Sequence, residues 1–94
     1  MKTSESTELH TVRFHATAEP NSDVYVTGSF NRWNGGAKKM TANRGEHDYY
    51  VTLMLPRGRH EYKFVVNGQY KADPECPDWV LNDFGTINSV IDVM

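Results

Sequence analysis

Arg59-His60-Glu61-Tyr62-Lys63-Phe64-Val65-Val66-Asn67-Gly68-Gln69-Tyr70 is the stretch that decides the fold. Up to Val66 it alternates. His60, Tyr62, Phe64 and Val66 share one face, and Arg59, Glu61, Lys63 and Val65 share the other. A period of two is the signature of a half-buried strand. Asn67-Gly68 then predicts a type I′ turn, whose two central residues both need positive φ. A two-residue loop sets Val66 opposite Gln69, Val65 opposite Tyr70 and Lys63 opposite Ala72. Lys63 and Tyr70 become diagonal neighbours on the face away from Tyr62 and Phe64, which are assigned to the core.

The same period runs outward in both directions. Val12, Phe14 and Ala16 alternate with Thr11, Arg13 and His15 from Leu9 onward. Val24 and Val26 alternate with Tyr25 and Thr27, ending at Gly28. Tyr49, Val51, Leu53 and Leu55 alternate with Tyr50, Thr52 and Met54, and Ile87 to Val93 repeats the pattern. Lys38 to Thr41 and Gln69 to Asp73 are short strand candidates, and Trp79 to Phe84 is ambiguous. Turns are predicted at Glu19-Pro20-Asn21-Ser22, Asn43-Arg44-Gly45-Glu46 and Pro56-Arg57-Gly58. No segment has a helical period. About seven strands in 94 residues predict an all-β chain, a two-sheet antiparallel sandwich of immunoglobulin-like type, without the Cys–Trp–Cys signature of antibody domains.

Length allows one small domain with a single core. Residues 9–94 are assigned to it and residues 1–8 to a flexible tail that lacks the apolar segment of a signal peptide. A net charge of −2 without a long basic run argues against nucleic acid and anionic membrane as partners. No apolar run approaches membrane-spanning length, so a cytoplasmic location is expected. Cys76 is the single cysteine, which excludes an internal disulfide. His10, His15, His47 and His60 show no metal-ligand spacing, and neither metal nor cofactor is expected. The loop acids Asp73, Glu75, Asp78 and Asp83 read as solvated loop chemistry, and Ser29 has no nucleophile-elbow context, so no catalytic residue is assigned.

Phe30-Asn31-Arg32-Trp33-Asn34 puts a tryptophan among turn-forming polar residues just after a strand. Such a ring is either a lid folded onto the core or a platform facing solvent. On the platform reading, Trp33 joins Tyr70 and Lys63 to give two aromatic rings beside a cationic donor. Pyranose rings have apolar C–H faces and hydroxyl-rich edges, which suit stacking on flat rings and hydrogen bonds from Lys or Asn. Two stacked rings and a few hydrogen bonds correspond to affinities of roughly ten micromolar to about a millimolar. Asp73-Pro74-Glu75-Cys76-Pro77-Asp78 reads as a proline-braced loop, and Trp79 at its end is expected to pack.

Several blocks in order resemble carbohydrate-binding module family 48. They are Val24-Tyr25-Val26-Thr27-Gly28-Ser29-Phe30-Asn31-Arg32-Trp33, Leu53-Met54-Leu55-Pro56-Arg57-Gly58, Tyr62 to Tyr70, Asp73-Pro74 and Gly85 to Ile91. That family includes the glycogen-binding domain of the AMP-activated protein kinase beta subunit and the N-terminal domains of glycogen branching and debranching enzymes and isoamylases. The resemblance spans about residues 10 to 94. It implies an early-set immunoglobulin-like sandwich that binds α-1,4-glucan (glycogen, starch, maltooligosaccharides). It matches Trp33 to the family's first sugar-binding tryptophan and Lys63 to its lysine. Tyr70 stands at the second tryptophan's place. Phe84, Thr86 and Asn88 fall on a leucine-threonine-asparagine group, with Phe84 replacing leucine, and Asn67 replaces the usual turn aspartate. Phe84 alone also reads as a core residue, and Thr86 and Asn88 as turn chemistry.

The expectation is therefore a non-catalytic glucan-binding module that tethers itself or an associated enzyme to storage polysaccharide. The alternative is an interaction or regulatory domain packed on a glucan-active enzyme or kinase subunit supplied in trans, without contact to sugar.

Overall fold

A computed structural model of the chain describes residues 8–94. The expected tail falls, apart from Glu8, outside the described residues. The architecture is an all-β, antiparallel, immunoglobulin-like sandwich. Its eight strands are β1 (Leu9–Thr17), β2 (Val24–Gly28), β3 (Lys39–Met40), β4 (Asp48–Pro56), β5 (Gly58–Val66), β6 (Gln69–Lys71), β7 (Trp79–Leu81) and β8 (Ile87–Val93). The eighth comes from the ambiguous segment, since Trp79–Leu81 pairs with β8. One sheet holds β1 and β4; the other has the order β3-β2-β5-β8-β7, with β6 also on β5. Among the described residues no helix is long and apolar enough to cross a membrane.

The core sits where the alternation placed it. Val12, Phe14 and Ala16 of β1 and Tyr49, Leu53 and Leu55 of β4 meet Val24, Val26, Tyr62 and Phe64 of β2 and β5. Phe14 meets Tyr62 edge-on, with centroids 4.9 Å apart and planes at 68°, and Tyr62 meets Phe64 at 5.7 Å. Edge-to-face pairs of this kind suit the ring quadrupoles and add about 1 kcal/mol beyond area burial. The Tyr62 phenol donates to Asp73 Oδ2 at 2.7 Å. Burial first, and then the Asp73 hydrogen bond, push its pKa well above that of an ordinary phenol.

The tight turn forms as predicted, with φ of 50° at Asn67 and 84° at Gly68. Val66 pairs with Gln69 and Val65 with Tyr70. The expected pairing of Lys63 with Ala72 does not form, because the ladder ends at Phe64 with Lys71. Two strands share this edge of β5: β6 takes Phe64 to Val66, and β8 takes Gly58 to Tyr62. The chain peels away after Lys71 to let β8 in, and the Asp73 amide is held by Ser89 Oγ at 2.8 Å. Lys63 pairs on its other side with Thr27 of β2.

Trp79 corrects a second expectation, for it is 62% exposed. It shares the row of Tyr62 and Ser89, on the core-facing side of its sheet. The facing sheet has only two strands and does not reach this far. Leu81 and Ile87, paired in the next row of that face, are also exposed.

Candidate functional site

The loop after β2 separates its two aromatic residues. A single 3₁₀ turn, Ser29–Asn31, sends Phe30 to the core side, 5.8 Å from Phe14 and 6.3 Å from His60 by ring centroids. The lid considered for Trp33 is therefore supplied by Phe30. Arg32 and Trp33 follow in the left-handed region, with φ of 57° and 61°. Two consecutive non-glycine residues in that region cost of order 1 kcal/mol each and need outside support. The Trp33 amide donates to Gly28 O at 2.9 Å, and Asn31 Oδ1 accepts from the Gly28 amide at 3.0 Å. The reversal lays Trp33, 36% exposed, over the outer face of the large sheet. Gly35 follows, close against Tyr70 and Val65. Thr27 and Val65 face outward by strand alternation yet are buried, because this loop covers them.

A second loop approaches from the opposite edge. The five residues Asn82 to Thr86 join β7 to β8, with three of them, 83–85, inside the Asn82–Thr86 backbone hydrogen bond and Gly85 at φ 82°. The Asn82 amide donates to Thr86 O at 2.8 Å and the Gly85 amide to Asn82 O at 3.1 Å. The side chain of Asn82 accepts from the Phe84 amide at 2.9 Å, an Asx turn. At the tip, Phe84 is 89% exposed and buries almost nothing against the protein.

Between the two loops lies a cleft of about 380 Å³, within the range of small-ligand sites. All six residues singled out in the sequence line it: Trp33, Lys63, Tyr70, Phe84, Thr86 and Asn88. Lys63 Nζ donates to Thr86 Oγ1 at 2.8 Å. Continuing the β5–β8 register one step past Tyr62 and Ser89 sets Asn88 opposite Lys63. Asn88 is only 5% exposed and forms part of the floor. Its Oδ1 accepts from Asn82 Nδ2 at 3.1 Å, and its Nδ2 donates to Glu61 Oε1 at 2.9 Å. One amide proton and one lone pair of Asn88 stay unused by the protein.

Glu61, Asn82 and Asp83 also line the cleft; Glu61 and Asn82 were not singled out in the sequence, and Asp83 was read only as solvated loop chemistry. Glu61 carried a readable signal, being two residues before Lys63 on the same strand face. Asn82 carried a weaker one, the Asn-Asp-Phe-Gly turn composition between two strands. Aromatic surfaces on two loops, a cationic donor and a polar floor are suited to a flat, uncharged, hydroxylated ligand. Among the described residues no group of three His, Cys, Asp or Glu is arranged to hold a metal ion.

Residues 11–94 match the family described as the glycogen recognition site of AMP-activated protein kinase. Over 71 residues the chain is 41% identical to 5'-AMP-activated protein kinase subunit beta-1 of Sus scrofa, covering 76% of this chain and 54% of that one. It is equally similar to the Homo sapiens beta-1 subunit, of which the match covers 24%. The Mus musculus beta-2 subunit is 40% identical over 76 residues, covering 81% of this chain and 27% of the relative. The chain thus spans about half the length of the first of these relatives and about a quarter of the other two. With its match running through every strand but the first residues of β1, the chain belongs to the family of the glycogen recognition site of AMP-activated protein kinase.

Proposed function

We propose that this chain binds α-1,4-linked glucan (glycogen, starch or maltooligosaccharides) without catalysing a reaction on it. Bound in this way, it tethers itself or an associated enzyme to the polysaccharide. The observation that carries the reading is the convergence on one cleft of three aromatic rings from separate segments with Lys63, Thr86 and Asn88. Trp33 and Tyr70 stack on the apolar faces of glucose units. Lys63 and Asn88 hydrogen-bond the ring hydroxyls, and Phe84 with Thr86 shapes the edge. Tyr70 offers less stacking area than a tryptophan would, which places affinity towards the weaker end of about ten micromolar to about a millimolar. Family membership supports the same ligand, and the names of the relatives support a kinase complex as the partner. In this reading residues 9–94 form the binding domain, and it works in the cytoplasm.

Calorimetric titration with maltoheptaose tests it. The wild-type chain binds in that range, and Trp33→Ala weakens binding about tenfold or more, the loss of one well-buried ring. No binding at millimolar sugar, or equal binding by Trp33→Ala, overturns the reading.

One observation favours a second role. Trp79, Leu81 and Ile87 lie exposed on two neighbouring rows of one face at the sheet edge, apart from the cleft. Scattered apolar residues need no explanation, but a contiguous patch containing tryptophan is a frequent protein-contact surface. This supports packing on a glucan-active enzyme or kinase subunit in trans. A partner retained from the host by the wild-type chain and lost with Trp79→Ser supports it, and equal retention by both contradicts it.

A further inference from the structure

Asn82 uses its whole side-chain hydrogen-bonding capacity inside the loop. Its Oδ1 accepts from the amides of Phe84 at 2.9 Å and Thr86 at 3.1 Å. Its Nδ2 donates to Thr86 Oγ1 at 2.7 Å and to Asn88 Oδ1 at 3.1 Å. Two lone pairs and two protons are all that a side-chain amide has. The orientation is fixed as well. Exchanging nitrogen and oxygen would point N–H at two backbone N–H groups and a carbonyl oxygen at Asn88 Oδ1.

This has a consequence for Thr86. A hydroxyl oxygen has two lone pairs and one proton. One lone pair accepts from Lys63 Nζ at 2.8 Å and the other from Asn82. The Thr86 O–H is left to donate, and it has no acceptor among the described residues, so it is offered to the cleft that Thr86 lines. Asn88 is constrained in the same way. With its Oδ1 held by Asn82, its Nδ2 faces Glu61, whose other carboxylate lone pairs remain open to the cleft.

We propose that Asn82 is a positioning residue that sets the hydrogen-bond polarity of this cleft. Through it Thr86 becomes an obligate donor to the ligand, and the Asn88 amide turns towards Glu61. The cleft then presents donors at Lys63 and Thr86 and an acceptor at Glu61. That ordering fits neighbouring hydroxyls on a sugar edge, each of which accepts from one group and donates to another. The inference rests on the glucan reading for its ligand, but the polarity itself is a property of the free protein.

Asn82→Asp removes both donor contacts of this side chain, to Thr86 and to Asn88. A carboxylate keeps both acceptor contacts to the Phe84 and Thr86 amides and has no proton to give. Thr86 then donates back to the new carboxylate, and its proton is withdrawn from the cleft. The 94-residue chain is titrated with maltoheptaose as wild type, Asn82→Asp, Thr86→Val and the double variant. The expected result is a melting temperature within a few degrees of wild type for Asn82→Asp and an affinity loss of about tenfold, one charge-assisted or well-formed hydrogen bond's worth. The loss in the double variant is then smaller than the sum of the two single losses, since both single changes remove the Thr86 donor and only Asn82→Asp also releases Asn88. Wild-type affinity in Asn82→Asp, or a loss fully additive with Thr86→Val, overturns the proposal. So does a large fall in melting temperature, which makes Asn82 a residue of the fold. Proton exchange of the Asn88 side-chain amide, followed by NMR without sugar, separates this proposal from the glucan reading. It quickens in Asn82→Asp whether or not the wild type binds maltoheptaose, and unchanged exchange overturns the proposal.

Discussion

Gly35 shows how closely the two halves of the cleft are fitted. A Cβ built there stands 2.6 Å from the Tyr70 hydroxyl oxygen and 3.7 Å from Val65 Cγ2. The phenol is the free end of a side chain and can swing, whereas its place in the cleft cannot be kept. Gly35→Ala, in a half-buried stretch of loop where only the end of a side chain must move, is therefore expected to change stability by less than about 1 kcal/mol, while weakening maltoheptaose binding several-fold. Thermal melting and calorimetry on the same variant check both parts, and intact affinity would show that the position of Tyr70 is immaterial. Gly28 differs in kind. Its φ of −175° is open to any residue, but a Cβ would stand 2.4 Å from Glu61 O and 2.6 Å from the Phe30 ring. Backbone cannot move aside so easily, and Gly28→Ala is expected to destabilise by roughly 1–3 kcal/mol, the usual cost of overpacking. Denaturant unfolding measures it, and a wild-type midpoint contradicts the account.

At the level of elements, the decisive feature is the division of one β5 edge between β6 and β8. The segment that leaves at Ala72 is fastened by Asp73, which accepts from Tyr62 at 2.7 Å and from the Glu75 amide at 2.9 Å. Its own amide donates to Ser89. Asp73 thus ties the loop to the core, a role its reading as solvated loop chemistry did not include. Tyr62→Phe leaves the carboxylate short of a partner, with an expected loss of about 1–3 kcal/mol. Hydrogen exchange should then show faster opening around residues 72–78 than elsewhere, and a uniform change would contradict the fastening role. The hairpin from Arg59 to Tyr70 was legible because strand period and turn chemistry are local. The end of its ladder was not, because it depends on competition from Ile87–Val93, far along the chain. Trp79 was misread for a similar reason. Its face follows from pairing, but its exposure depends on a facing sheet only two strands wide. Asn82 escaped notice because its importance lies in contacts with Thr86 and Asn88 that only the closed loop creates.

Across the whole molecule, a histidine links separate parts of the fold. His15 of β1 bonds Asp48 of β4 through Nε2 at 2.8 Å and Glu75 of the proline loop through Nδ1 at 3.1 Å. The Asp48 hydrogen bond raises its pKa above the ordinary imidazole value; desolvation opposes this and Glu75 adds to it. A raised folded value means that this stabilisation is complete below the unfolded value and is lost as pH rises through the folded one. The partners lie at the surface, so the contribution stays under about 1 kcal/mol. Between about pH 5.5 and about pH 8 the melting temperature of the wild type should fall relative to that of His15→Gln, and parallel curves would remove the linkage.

Six of the nine residues that line the cleft were reachable from the sequence by two routes. Alternation and the tight turn brought Lys63 to Tyr70. The block resemblance added Phe84, Thr86 and Asn88, for which local pattern left core and turn readings open. Trp33 needed the fold to decide between lid and platform, and Phe30 takes the inward place. Among the described residues the cleft and the exposed apolar patch at Trp79 are thus separate surfaces, and only the cleft is proposed for glucan. A maltoheptaose titration followed by ¹H–¹⁵N NMR on the isotope-labelled chain separates them most directly. Saturable shifts are expected at the Trp33 indole and the backbone of Phe84, Thr86 and Asn88, with Trp79 and Leu81 unmoved. Shifts centred on Trp79 and Leu81, or none at millimolar sugar, would contradict the glucan reading.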